Sequence, residues 1–116
     1  MSTIQYHDRY FRTVSNSATG EVDDRTVFHY RQEGDVVWAT YQGGQVRFGT
    51  LVARQLADGT LDMRYHHINH ANDIMTGECQ SRPEILADGR LRLYESWQWT
   101  CGDHSKGESV VEELHP

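Results

Sequence analysis

Between Asp88 and Trp99 the chain reads Asp-Gly-Arg-Leu-Arg-Leu-Tyr-Glu-Ser-Trp-Gln-Trp. A turn signal is followed by strict alternation. Leu91, Leu93, Glu95, Trp97 and Trp99 fall on one side, and Arg92, Tyr94, Ser96 and Gln98 on the other. Successive side chains of a strand point to opposite faces, so a period of two with one apolar side describes a strand that is wet on one face. Glu95 breaks the pattern: it is a carboxylate in the middle of the side that should be dry.

Similar segments recur between turn signals along the whole chain. Tyr10–Ser15 and Thr26–Gln32 flank a polar connection containing Gly20, and Glu33-Gly34-Asp35 leads into Val36–Gln42. Gly43-Gly44 reads as a two-residue hairpin turn, because both central positions need positive φ and glycine adopts it freely. Gln45–Gln55, Leu61–Asn69, Ile74–Ser81, the segment after Asp88 and Gly107–Leu114 follow, for eight strands in all. No window carries a helical period. Turn signals at this spacing predict an all-β sandwich or barrel. Short connections between sequence neighbours favour an up-and-down antiparallel meander. Such a meander removes its exposed edges by closing on itself, so a barrel is expected, with an open sheet or sandwich as the alternative. Gly49 and Gly77, inside strands, are expected at bends or bulges.

At 116 residues the chain is expected to form a single domain over 1–116, with 1–9 as a polar lead-in. The formal net charge is −6, with no block of Lys or Arg, which argues against a nucleic-acid or anionic-membrane partner. No apolar run approaches the ~20 residues of a membrane helix, and the N-terminal residues do not read as a secretory signal. A cytoplasmic location is expected. Cys79 and Cys101 match no metal or redox spacing. A hairpin near Asp88 puts residue 79 opposite about residue 97, leaving Cys101 roughly 13 Å further on, too far for a disulfide. Both are expected as free thiols.

The alternation predicts an interior of Phe11, Phe28, Tyr30, Val37, Ala39, Tyr41, Leu51, Leu61, Met63, Tyr65, His67, Cys79, Leu93, Glu95, Trp97 and Val111. An eight-stranded barrel is either filled by side chains or holds one small ligand. Polar groups among large apolar ones suit a ligand cavity. The expected ligand-binding residues are Glu95, His67, Tyr30, Tyr65, Tyr41 and Trp97. Glu95 would meet a ligand's polar end or act as a general acid with a raised pKa; the structural alternative is a buried carboxylate held by Tyr, Ser, Thr or Arg.

The tract His66-His67-Ile68-Asn69-His70 does not read as a metal site. His66 and His70 share a face but lie about 13 Å apart at ~3.3 Å per residue, and His67 points the other way. No metal and no cofactor are expected. Gly102-Asp-His-Ser-Lys-Gly107 reads as a polar loop, since adjacency in sequence does not make a catalytic triad. Glu108, Glu112 and Glu113 are expected to protect a strand edge, and Trp38 to face outward.

With Phe11-Arg-Thr-Val-Ser-Asn, Val27-Phe-His-Tyr-Arg-Gln-Glu-Gly, Ala39-Thr-Tyr-Gln-Gly-Gly, Met63-Arg-Tyr-His, Met75-Thr-Gly-Glu-Cys and Glu95-Ser-Trp-Gln-Trp-Thr, the chain resembles a group of small bacterial proteins. That group is related in shape to the calycins (lipocalins, fatty-acid-binding proteins, avidins), and many of its members carry the name N-acetylglutamate synthase. The likeness runs from Phe11 to Leu114. It implies a calycin-like barrel and brings no established site residues. The name implies acyl transfer from acetyl-CoA; the Gln/Arg-x-x-Gly-x-Gly/Ala turn that cradles the pyrophosphate in that chemistry does not occur in this sequence.

Three functions fit these readings. The first is a small partly apolar ligand held in the lumen. The second is an enzyme using Glu95 and His67 as an acid/base pair. The third is a ligand-free barrel acting through an outer surface that includes Trp38.

Overall fold

The computed structural model describes residues 4–115. The strands are β1 (Arg9–Asn16), β2 (Val27–Glu33), β3 (Val36–Gly43), β4 (Val46–Gln55), β5 (Leu61–Asn69), β6 (Ile74–Ile85), β7 (Leu91–Trp99) and β8 (Lys106–Glu113). Each pairs antiparallel with its sequence neighbour, and β1 pairs with β8, so the sheet is a closed up-and-down barrel. No helix occurs among the described residues.

The alternation sets the faces as expected. Phe11, Phe28, Tyr30, Val37, Ala39, Tyr41, Leu61, Met63, Leu93, Trp97 and Val111 are all buried inside. The outer face carries cross-strand ion pairs instead, such as Arg54–Asp62 at 2.7 Å and Arg92–Glu112 at 2.6 Å.

Several details differ from the sequence reading. β6 runs past Ser81 to Ile85 and includes Pro83. β5 has already ended at Leu61, opposite Ser81, so beyond this point β6 has lost one neighbour, and an edge tolerates a missing N–H. The carboxylates of β8 protect no edge, because closure gives that strand two neighbours. Glu112 and Glu113 pair instead with Arg92 and Arg9. Register breaks fall between Thr13 and Ser15, Tyr41 and Gly43, and Val46 and Phe48. Gly49 thus borders the β4 irregularity, as expected, whereas Gly77 lies in an unbroken register; both also supply space, as described below.

The lead-in is only partly polar. Residues 1–3 lie outside the described residues, but Tyr6 is fully buried among the core side chains at one barrel end. Its backbone N–H donates to Gln32 Oε1 at 2.8 Å and its hydroxyl to the Gly59 carbonyl at 3.1 Å. The N-terminal segment thus stoppers the end where the β2–β3, β4–β5 and β6–β7 turns lie.

Candidate functional site

At the opposite end the lumen opens into a cavity of about 50 Å³. Its walls bring together Phe28, Tyr41, Tyr65, His67, Trp97 and Trp99, with Glu95 and Ser109 toward the barrel middle and Glu21 at the mouth. Five of the six residues expected from the sequence line it: Glu95, His67, Tyr41, Tyr65 and Trp97. Tyr30 does not. It is fully buried deeper down, with its ring 4.9 Å from Phe11 and 6.0 Å from Tyr6. Alternation reports the face of a side chain and not its height along the barrel axis.

The space exists because three large rings lie over glycines. Tyr41 stands across from Gly49, Tyr65 from Gly77 and Trp97 from Gly107 in the strand registers. A Cβ on those glycines would approach the rings to 2.4, 2.2 and 2.3 Å respectively. Each aromatic side chain therefore lies down against a bare stretch of wall rather than standing into the lumen.

Glu95 shares a row with Ser81 on β6 and Ser109 on β8. Ser109 Oγ donates to Glu95 Oε1 at 2.9 Å. Burial pushes the Glu95 pKa up to about 7, while Ser109 and Ser81 act in the opposite direction. The Ser81 hydroxyl is near enough to act on the carboxylate, but it makes no well-aligned hydrogen bond to it; with Thr13 and Tyr30 it is one of three buried hydroxyls without a partner among the described residues. No arginine or lysine lines the cavity.

At the mouth, His67 is buried and both its ring nitrogens are taken. Nδ1 lies 2.9 Å from the Tyr41 hydroxyl and Nε2 lies 2.8 Å from Glu21 Oε1. A carboxylate can only accept, which assigns the proton to Nε2 and makes Tyr41 the donor to Nδ1. Burial lowers the His67 pKa, and the Glu21 hydrogen bond works against that. Burial likewise raises the Tyr41 and Tyr65 pKa values, keeping both phenols neutral. Asn69 Nδ2 donates to Glu21 Oε2 at 3.1 Å. With both its nitrogens engaged elsewhere, His67 makes no hydrogen bond to Glu95.

The residues linking β1 and β2 fold over this end. Trp97 Nε1 donates to Asn16 Oδ1 at 3.2 Å, Trp99 Nε1 to the Thr19 carbonyl at 3.0 Å, and Asn16 Nδ2 to the Val22 carbonyl at 2.9 Å. Glu21, Asn16 and Ser109 are missing from the sequence-based site because two of them sit in or beside a connection and the third is a small polar residue. Two signals point to them in retrospect: an isolated valine, Val22, inside an otherwise polar connection, and Ser109 falling on the inward face with Val111.

Of the remaining candidates, Cys79 stands opposite Trp97, and it and Cys101 are free. His66 faces outward and bonds Thr50 at 2.7 Å. No group of three or more His, Cys, Asp or Glu suited to a metal occurs among the described residues.

Comparison of the chain with curated proteins and with solved structures finds no match in either. A family model described as "Avidin-like protein" matches residues 4–114, nearly the whole chain and every strand of the barrel, and the chain belongs to that avidin-like family.

Proposed function

We propose that this protein is a small-molecule binder. One partly apolar ligand sits in the open half of the barrel, with its polar end toward Glu95 and its apolar part among Tyr41, Tyr65, Trp97 and His67. The observation that carries this reading is a carboxyl group with no cationic partner on the wall of an aromatic-lined cavity. Glu95 receives one well-aligned hydrogen bond, from Ser109, so most of its acceptor capacity is left facing the cavity for a ligand. Membership of the avidin-like family supports it, since eight-stranded barrels of that type have lumens able to hold one small ligand. A ligand larger than the cavity enters past the Glu21 segment.

The three tryptophans provide the test. Trp97 and Trp99 line the cavity, whereas Trp38 lies on the outer face opposite Arg31 and Val52. In ¹⁵N-labelled protein titrated with a chemically diverse panel of small molecules, ligands of the lumen move the Trp97 and Trp99 indole resonances and leave that of Trp38 in place. If no compound does so, or if Trp38 alone responds, the lumen is not a binding site.

A further inference from the structure

The charge and hydrogen-bonding state of the cavity wall narrow the ligand class, and this step rests on the lumen reading above. Two carboxylates, Glu21 and Glu95, line the cavity, and no lysine or arginine does. Apart from the Tyr65 hydroxyl, the side-chain donors lining the cavity are already engaged. The indole N–H groups of Trp97 and Trp99 are given to Asn16 and Thr19, the Tyr41 hydroxyl to His67, His67 Nε2 to Glu21, and the Ser109 hydroxyl to Glu95. Acceptors remain. An ionised carboxylate offers about four lone-pair sites, and Glu95 receives one well-aligned hydrogen bond among the described residues. The site therefore offers more acceptor than donor capacity, and the free side-chain donor among the described lining residues, the Tyr65 hydroxyl, carries no charge.

The rings sharpen this further. Tyr65 lies 5.8 Å from Trp99, and Trp97 lies 5.6 Å from Trp99, in tilted or edge-on arrangements that enclose a space rather than fill it. Glu95, Trp97 and Trp99 alternate along one strand on its inward face, so neighbours among them are about 7 Å apart. A positive charge held at Glu95 then falls near the ~6 Å reach at which an aromatic face attracts a cation. Carboxylate and rings favour the same sign of charge.

We infer that the lumen binds a small organic cation, an ammonium or guanidinium group seated against Glu95 with its carbon skeleton among Tyr65, Trp97 and Trp99. The cavity of about 50 Å³ takes roughly four water-sized groups, so it accepts the charged head and a short alkyl part without moving the Glu21 segment.

Four compounds of about the same size separate this from the alternatives: isopropylammonium, isopropanol, acetamide and acetate. Each is titrated into ¹⁵N-labelled protein at pH 8, with the Trp97 and Trp99 indoles as reporters and Trp38 as the control. The expected result is that isopropylammonium binds at least ten-fold more tightly than either neutral compound and that acetate leaves the reporters unmoved. Glu95→Gln removes the preference for the cation.

Lowering the pH to 5.5 weakens binding of isopropylammonium to the unmodified protein about ten-fold, as Glu95 takes up its proton. Of the groups facing that space, protonation of His67 on β5 acts in the same direction, and the Glu95→Gln variant isolates its share. Tyr30, Tyr41, Tyr65 and Cys79 stay neutral throughout this range, because burial raises all four.

If isopropanol, acetamide or acetate matches the cation at the same reporters, the cation inference is wrong and the lumen reading stands. If none of the four moves Trp97 or Trp99, the inference falls, and the diverse panel alone decides the lumen reading. Equal cation affinity at the two pH values overturns the inference even if the Glu95→Gln variant does not fold.

Discussion

The two halves of this barrel are built from the same alternating strands and have opposite interiors. In the stoppered half, aromatic side chains meet one another: Tyr30 packs on Phe11 and Tyr6 closes over Tyr30, while Phe28, across from Phe11, reaches the cavity and stacks on Tyr41. Leu61, Leu91 and Leu93 fill the remaining space and are almost completely buried. In the open half the rings of Tyr41, Tyr65 and Trp97 meet glycines one strand away and lie flat. The contrast lies in whether a ring has a glycine on one flanking strand. Tyr41, Tyr65 and Trp97 do, although Tyr41 also faces Phe28 on its other side; Phe11 and Tyr30 do not.

The largest effect expected from that contrast is at the plug. Phe11 has no exposed surface and meets the Tyr30 ring edge-on, so Phe11→Ala leaves a void in the packed half. Substitutions of this kind cost about 3–5 kcal/mol. Urea unfolding reads this as a lowered midpoint with an unchanged slope. Ligand response at Trp97 and Trp99 is expected to persist wherever the variant is folded, because Phe11 does not line the cavity. A variant with native stability, or one that stays folded with a dead cavity, would show that the two halves are not separate.

How far the sequence foretold this contrast depends on which physical rule was at work. Period-two alternation placed Leu93, Glu95, Trp97 and the facing residues of β5 and β6 inside, because one buried face fixes the register of a strand. The hairpin at Asp88 even placed Cys79 opposite Trp97. Alternation carries no information about height, so Tyr30 reads as a cavity residue although it belongs to the plug. Nor does it reach side chains delivered by connections. Tyr6 and Glu21 enter the barrel ends from segments with no period, where a single tyrosine or glutamate among polar residues looks like ordinary surface. The glycine partners of the rings are visible in the sequence, but their pairing appears only once the registers are known.

A middle-sized effect separates the halves by pH. The Glu95 carboxyl has a folded-state pKa of about 7 against an ordinary 4.5, and burial is the main cause. An acid whose pKa is raised on folding holds its proton more tightly in the native state. Its contribution to stability is complete below about pH 4.5 and is lost as pH rises through about 7. The difference amounts to on the order of 3 kcal/mol. Glu95→Gln keeps the shape without the ionisation. Its stability relative to the unmodified protein is therefore expected to improve by about that amount between pH 4.5 and pH 8. Denaturant titrations at the two pH values measure the gap. Phe11→Ala serves as the control, since its deficit is the same at both. A gap for Glu95→Gln that does not change with pH would mean that the carboxyl is solvated in the folded state.

The smallest effect on stability bears most directly on why the open half stays open. Gly77 lies in an unbroken register between Tyr65 and Trp99, so its backbone is ordinary strand and only its missing side chain matters. A Cβ there would sit 2.2 Å from Tyr65 Cζ and 2.3 Å from its hydroxyl oxygen, so the ring must leave the wall. The free space is the cavity, toward Trp99. The atoms displaced are the far end of a side chain next to that space, which puts Gly77→Ala at the low end of the 1–3 kcal/mol typical of overpacking, about 1 kcal/mol. The displaced ring then takes up volume that a ligand needs. Gly77→Ala is accordingly expected to lose lumen binding almost completely while remaining folded, the reverse of Phe11→Ala. Thermal melting together with the Trp97 and Trp99 titration decides it. If the variant binds normally, the glycine opposite Tyr65 does not keep the cavity open, and the rule separating the two halves fails at the position where its geometry is tightest.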